Sequence, residues 1–255
     1  MKKTVYLSAF LGAFCFANTA VAQLQDEKNV TITMDLQPIL QLSMNTSDQI
    51  DFVFDDIADY YGGITKYGAT ILKVSSTVNW DLYAVGTSND GTFWDNQMIY
   101  GAGTDPLATV GLPLELLELH QSQANASSAG ATGFRDDYSS AFDPSPYTPG
   151  ENNIYPSATP YVLPAITEKY IQGHNLVGDF AAGGSYLTQG AALSSIYYYA
   201  IDYRIVPGLP AIFPTSASNA AVPLLTDLVT VNGAGSYAQP GVYTMNVKYV
   251  LLENQ

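Results

Sequence analysis

Several short runs of this chain alternate apolar and polar side chains, the pattern of strands with one buried and one solvated face. The clearest lies near the C-terminus, where Tyr243, Met245, Val247, Tyr249 and Leu251 share one side and Thr244, Asn246 and Lys248 the other. A second covers residues 194–206, with Tyr197, Tyr199, Ile201, Tyr203 and Ile205 opposite Tyr198, Asp202 and Arg204, and ends at Pro207-Gly208. Near the start, Val30, Ile32, Met34 and Leu36 alternate with Thr31, Thr33 and Asp35, which predicts a first strand. After Pro38 an extended piece resumes over 39–44, and a turn at 45–48 leads to a short strand at 50–54. Residues 69–76 and 78–86 predict a further pair. In the second of these, Val78, Trp80, Leu82 and Ala84 share a face, so Trp80 and Leu82 are expected in the core together with Tyr243, Val247, Tyr249 and Leu251. Residues 112–120 fit a helix face and a strand end alike, and the surrounding strands favour a strand. On it Glu115, Glu118 and His120 are expected at the surface. A closing strand that must find partners far back in sequence predicts an all-β sandwich.

One stretch breaks the pattern. Residues 121–133 are rich in Ala, Ser, Gly and Gln, and 144–164 mix Pro with Tyr147, Tyr155 and Tyr161. The region 121–164 is therefore predicted to be a long loop insertion in a single domain spanning 23–255, suited either to contact with a partner or to plain surface variation.

The first 22 residues are set apart as an export signal. Lys2 and Lys3 precede an apolar run over 5–17, and Ala20-Val21-Ala22 fits a small-x-small cleavage site. The run is too short for the ~20 residues a membrane helix needs, so an integral membrane protein is not expected. The sole cysteine, Cys15, lies inside this segment behind Phe14, so the processed chain would carry neither disulfide nor lipid anchor. Of 9 basic residues two fall in the signal, leaving 7 against 23 acidic ones, a net −16. Such a surface repels phosphate backbones, which argues against nucleic-acid partners. With 13% charged residues, 19 Tyr, 21 Gly and 14 Pro, the chain has the composition of a secreted or cell-surface all-β protein.

Candidate chemistry is sparse. Asp51, Asp55, Asp56 and Asp59 place four carboxylates within nine positions, which could hold calcium or form a solvated acidic loop. Their spacing differs from the alternating-oxygen loop closed by Glu, and no cofactor other than calcium is suggested. Trp94 follows the turn Asn89-Asp90-Gly91 and, with Tyr147, Tyr155 and Tyr161, could stack on a sugar. Two histidines, no cysteine after residue 22 and no visible nucleophile–base pair leave a secreted hydrolase as a third choice.

Trp80-Asp81-Leu82, with Pro240-Gly241-Val242-Tyr243 and Tyr249-Val250-Leu251, resembles the WxL surface domain, Tyr249 standing where that family has its second Trp. A similar Gly-x-Tyr closing strand occurs in other exported, pilin-like sandwiches. The resemblance covers about 29–87 and 194–255 and implies an Ig-like or pilin-like β-sandwich without enzymatic chemistry. The resulting expectation is an exported, non-catalytic surface or matrix protein acting by association with itself or other surface proteins, as a filament (fimbrial-like) subunit, adhesin or envelope component. A carbohydrate-binding module is the alternative.

Overall fold

The computed structural model describes residues 26–101, 108–122, 137–142, 152–165, 168–173, 180–187, 197–205 and 237–253. The expected signal, Tyr147, His174 and residues 222–231 lie outside them. The chain divides into two units, Met1–Leu36 and Gln37–Gln255.

In the first unit the described residues, 26–36, form no strand. The alternation at 30–36 that predicts a first strand is therefore not matched by a ladder. Val30, Ile32, Met34 and Leu36 are 84, 87, 77 and 81% exposed. Periodicity makes a segment able to pair, but a strand exists only when another edge supplies the hydrogen bonds.

Among its described residues the second unit is all-β apart from one short helix and a single 3-10 turn. Its strands in chain order are β1 (Leu40–Met44), then after α1 (Ile57–Gly62) β2 (Ile64–Ser76), β3 (Trp80–Thr87), β4 (Asp95–Ile99) and β5 (Ala108–Thr109). There follow β6 (Leu117–Gln121), β7 (Pro156–Ser157), β8 (Gly184–Ser185), β9 (Tyr198–Ile205), β10 (Tyr237–Ala238), β11 (Gly241–Thr244) and β12 (Asn246–Glu253). One sheet has the order β1-β2-β9-β6, with β8 on the end of β2. A second has the order β12-β3-β7, and β11-β4 and β10-β5 form two small pairs. The two larger sheets share one core: Leu72 and Val74 of β2, Leu119 of β6 and Tyr199 and Ile201 of β9 meet Trp80, Leu82 and Ala84 of β3. Each aliphatic side chain fully buried there contributes ~1.5–3 kcal/mol. Among the described residues no helix is long and apolar enough to cross a membrane.

Local chemistry explains the departures from simple alternation. β3 is buried along both faces because its outer side chains, Tyr83 and Val85, pack against Tyr170 in a second cluster, with the rings of Tyr83 and Tyr170 5.7 Å apart. The described pieces of the 121–164 stretch, 121–122, 137–142 and 152–164, combine exposed residues with anchors. Tyr138 and Ile154 are buried in the main core, and β7 extends the sheet at β3. The ambiguous run at 112–120 is divided: Leu114–Leu116 makes the 3-10 turn and Leu117–Gln121 the strand β6. The turn after β3 rests on Asp90, whose Oδ1 accepts from the Thr92 and Phe93 amides at 2.7 and 2.8 Å. Gly91 there has φ 79°, and a Cβ would stand 2.4 Å from the Ala158 Cα, so the turn requires glycine. The C-terminal ribbon breaks at Met245, β11 pairing with β4 and β12 with β3.

Candidate association groove

Among the described residues each of the two sheets ends in a strand with one free edge. β1 pairs only with β2 and β12 only with β3 among the described residues, and the two edge strands approach each other at one side of the sandwich. About half the N–H and C=O groups of such a strand point away from its sole partner. The core is open here. Val247, Tyr249 and Leu251 of β12 and Leu42 of β1 pack against the core yet remain half-buried.

A hollow of about 390 Å³ lies at this opening, floored by Leu72, Leu117 and Tyr203 and walled by Leu42, Val247 and Tyr249. A second, of about 490 Å³, shares Leu42 and Tyr249 with it and continues past Val250, Leu251 and Tyr161. Side by side they make a mainly apolar groove along β12, with Ser47, Asp48, Thr70, Asn246 and Lys248 also in its lining. Residues 50–54, expected as a strand, border the first hollow without a ladder. The alternation persists in packing, because Ile50, Phe52 and Phe54 lie against the core while Asp51 and Val53 are exposed. The groove has fixed walls. Tyr203 Oη donates to Thr70 Oγ1 at 2.8 Å and is hydrogen-bonded to Tyr249 Oη, and burial holds both phenols protonated by raising their pKa.

Trp94, expected as an exposed sugar platform, is half-buried, lines the first hollow and donates from Nε1 to the Pro113 carbonyl at 3.1 Å. Tyr155 is half-buried against Tyr83, Val85 and Tyr170. Tyr161 is partly exposed at the second hollow, with Lys248 Nζ 5.5 Å from its ring centre. Trp94 and Tyr161 thus line different hollows of the groove, and Tyr155 lies in a separate cluster. Trp80 and Leu82 are fully buried, and Tyr243 packs partly buried against the same core.

The four aspartates are not brought together, and among the described residues no three His, Cys, Asp or Glu side chains gather to hold a metal. Asp56 caps α1, accepting from the Ala58 amide at 2.9 Å, while Asp59 accepts from the Asp56 amide at 3.3 Å. Asp51 accepts from Gln49 Nε2 at 3.0 Å. Capping a helix start needs acceptors at this spacing, and Asp56 and Asp59 serve that use.

Glu118 is buried, contrary to its expected surface position. Cross-strand register sets Glu118 opposite Arg204 and His120 opposite Asp202. Arg204 Nε donates to Glu118 Oε2 at 2.7 Å, and Asp202 accepts from the Gly68 amide at 2.6 Å and lies 2.7 Å from His120 Nδ1. Phe142 covers them, its ring centre 4.7 Å from the Arg204 guanidinium carbon and 5.7 Å from the imidazole. The sequence carried the signal in the opposite charges on two period-two runs, but the register that pairs them is tertiary. An Asp–His pair alone lacks the nucleophile of a triad. Among the described residues the only hydrogen bond to His120's ring is this one with Asp202.

No protein-family model matches the chain, and comparison with curated proteins finds no significant similarity.

Proposed function

We propose that this is an exported protein without catalytic activity that works by association at the cell surface or in the extracellular matrix, as a filament subunit, adhesin or envelope component. The observation that carries the reading is the apolar groove between two free sheet edges. Such a feature offers main-chain hydrogen bonds together with pockets for alternate side chains, the two requirements for taking up an extended segment. The leader-like residues 1–22, the thiol-free remainder and the low charge content support export. An Ig-like sandwich, incomplete along one side, is the architecture that fits.

The test compares the wild type with the double variant Leu40→Lys/Met44→Lys. Both positions border the groove and are 37 and 44% exposed, so the variant is expected to fold. Wild-type protein should form larger species as concentration rises in sedimentation velocity, or bind surface extracts, and the variant should do neither. A glycan array that retains both proteins equally would replace association by sugar binding.

A further inference from the structure

We propose that the groove receives residues 30–36 of a second copy of this chain, added as a β-strand along the free edge of β12. The proposal rests on the association reading above and names the partner.

The segment and the groove are complementary in three respects. Val30, Ile32, Met34 and Leu36 present four large apolar side chains at period two to solvent, with Thr31, Thr33 and Asp35 between them. A face of that kind is unusual in water and marks a surface that becomes covered. The groove lacks such a row, since Val247, Tyr249 and Leu251 remain half-buried. Length agrees as well: seven residues at ~3.3 Å each extend about 23 Å, and the eight of β12 about 26 Å. The unpaired edge of β12 would supply the ladder that residues 30–36 lack.

The short link between the segment and β1 bears on which copy donates it. Gln37 and Pro38 alone separate Leu36 from Ile39, which is fastened at both ends of its peptide. Its amide donates to Thr77 Oγ1 at 2.8 Å and its carbonyl accepts from the Thr77 amide at 2.9 Å. To lie beside β1 in its own groove the chain would have to reverse over those two residues. Tight hairpins need positive φ, which proline cannot adopt and a residue preceding proline resists. Each copy then has one segment to give and one groove to fill, a head-to-tail arrangement that propagates into a filament unless it closes on itself.

The test uses the chain without its leader-like residues 1–22, and so without Cys15, its sole cysteine. Ile32→Asp/Met34→Asp alters side chains that are exposed in the single copy, so circular dichroism and melting in dilute solution should match the wild type. Self-association should weaken on the order of a hundredfold or more, as expected when two anchor side chains are lost. Mixing an Ile32→Cys chain with a Val247→Cys or Leu251→Cys chain should give a disulfide between the two chains under mild oxidation. Association of Ile32→Asp/Met34→Asp at wild-type strength would overturn the proposal. So would a wild type that stays monomeric at every concentration, or an Ile32→Cys/Val247→Cys chain that closes its disulfide internally. If Leu40→Lys/Met44→Lys abolishes association while Ile32→Asp/Met34→Asp does not, the groove keeps its role with a different occupant. If neither matters, both readings fall.

Discussion

Glu118 and Arg204 form a buried ion pair across the β6–β9 ladder. Both groups are shielded from water, with Arg204 Nη2 2.6 Å from Glu118 Oε2. Removing one partner strands the other charge in a low-dielectric site. Arg204→Ala should therefore lower unfolding free energy by ~3–5 kcal/mol in a denaturant titration, whereas Glu118→Leu/Arg204→Met should recover most of that loss. Asp90 works by a different route. Its hydrogen bond from the Phe93 amide, and then that from Thr92, hold the carboxyl below the usual carboxylate range. A carboxylate whose folded pKa lies below its unfolded value contributes stability above the unfolded pKa and loses it as pH falls through the folded one. Between pH 7 and pH 3 the melting temperature of the wild type should fall more than that of Asp90→Asn, which cannot titrate. Equal slopes would remove Asp90 from the acid response.

At the scale of elements, the two faces of a strand and its two edges have separate fates. β3 is covered on both faces and paired on both edges by β12 and β7, while β12 has one covered face and one paired edge. Opening free energy follows buried contact and shielded hydrogen bonds. Amide exchange in dilute protein should accordingly be slowest in β3 and β9 and faster in β12, and concentrating the protein should slow exchange in β12 selectively. Uniform protection of β12 in dilute solution would show that its edge is already covered. The break at Met245 lets one apolar ribbon serve two sheets, because β11 and β12 continue the same alternation while pairing with different strands.

The whole molecule depends on its tyrosines. Burial raises the pKa of Tyr83, Tyr138, Tyr170, Tyr197, Tyr199, Tyr203, Tyr243 and Tyr249, Tyr170 being pushed up to about 12. Each binds its proton more tightly folded than unfolded. The stability this represents is complete below the unfolded phenol value near 10 and is lost as pH rises beyond it. Melting temperature should be nearly level from about pH 7 to 9 and fall steeply above about pH 10, with tyrosinate absorbance at 295 nm appearing together with unfolding. Tyrosinate that forms well before unfolding would show that the phenols are reached by water in the folded state.

The order and faces of most strands were legible in the sequence, because a period of two is a local property of a chain that must bury one side. The β9 run and the β11–β12 run place their alternate apolar residues in the core as the alternation predicts. So do Trp80 and Leu82, and the Asn89-Asp90-Gly91 turn follows from residues that tolerate its backbone. What depends on distant partners was not legible. The same alternation occurs in residues 30–36, 50–54 and β9, yet only β9 has a ladder. Polarity did not show that Glu118 is buried, since its partner lies 86 residues away and is set opposite by register. Nor did spacing alone show that Asp56 and Asp59 cap a helix. Alternation fixes which side of a strand is apolar. Tertiary structure alone decides which edges find a partner, and so where this sandwich remains open.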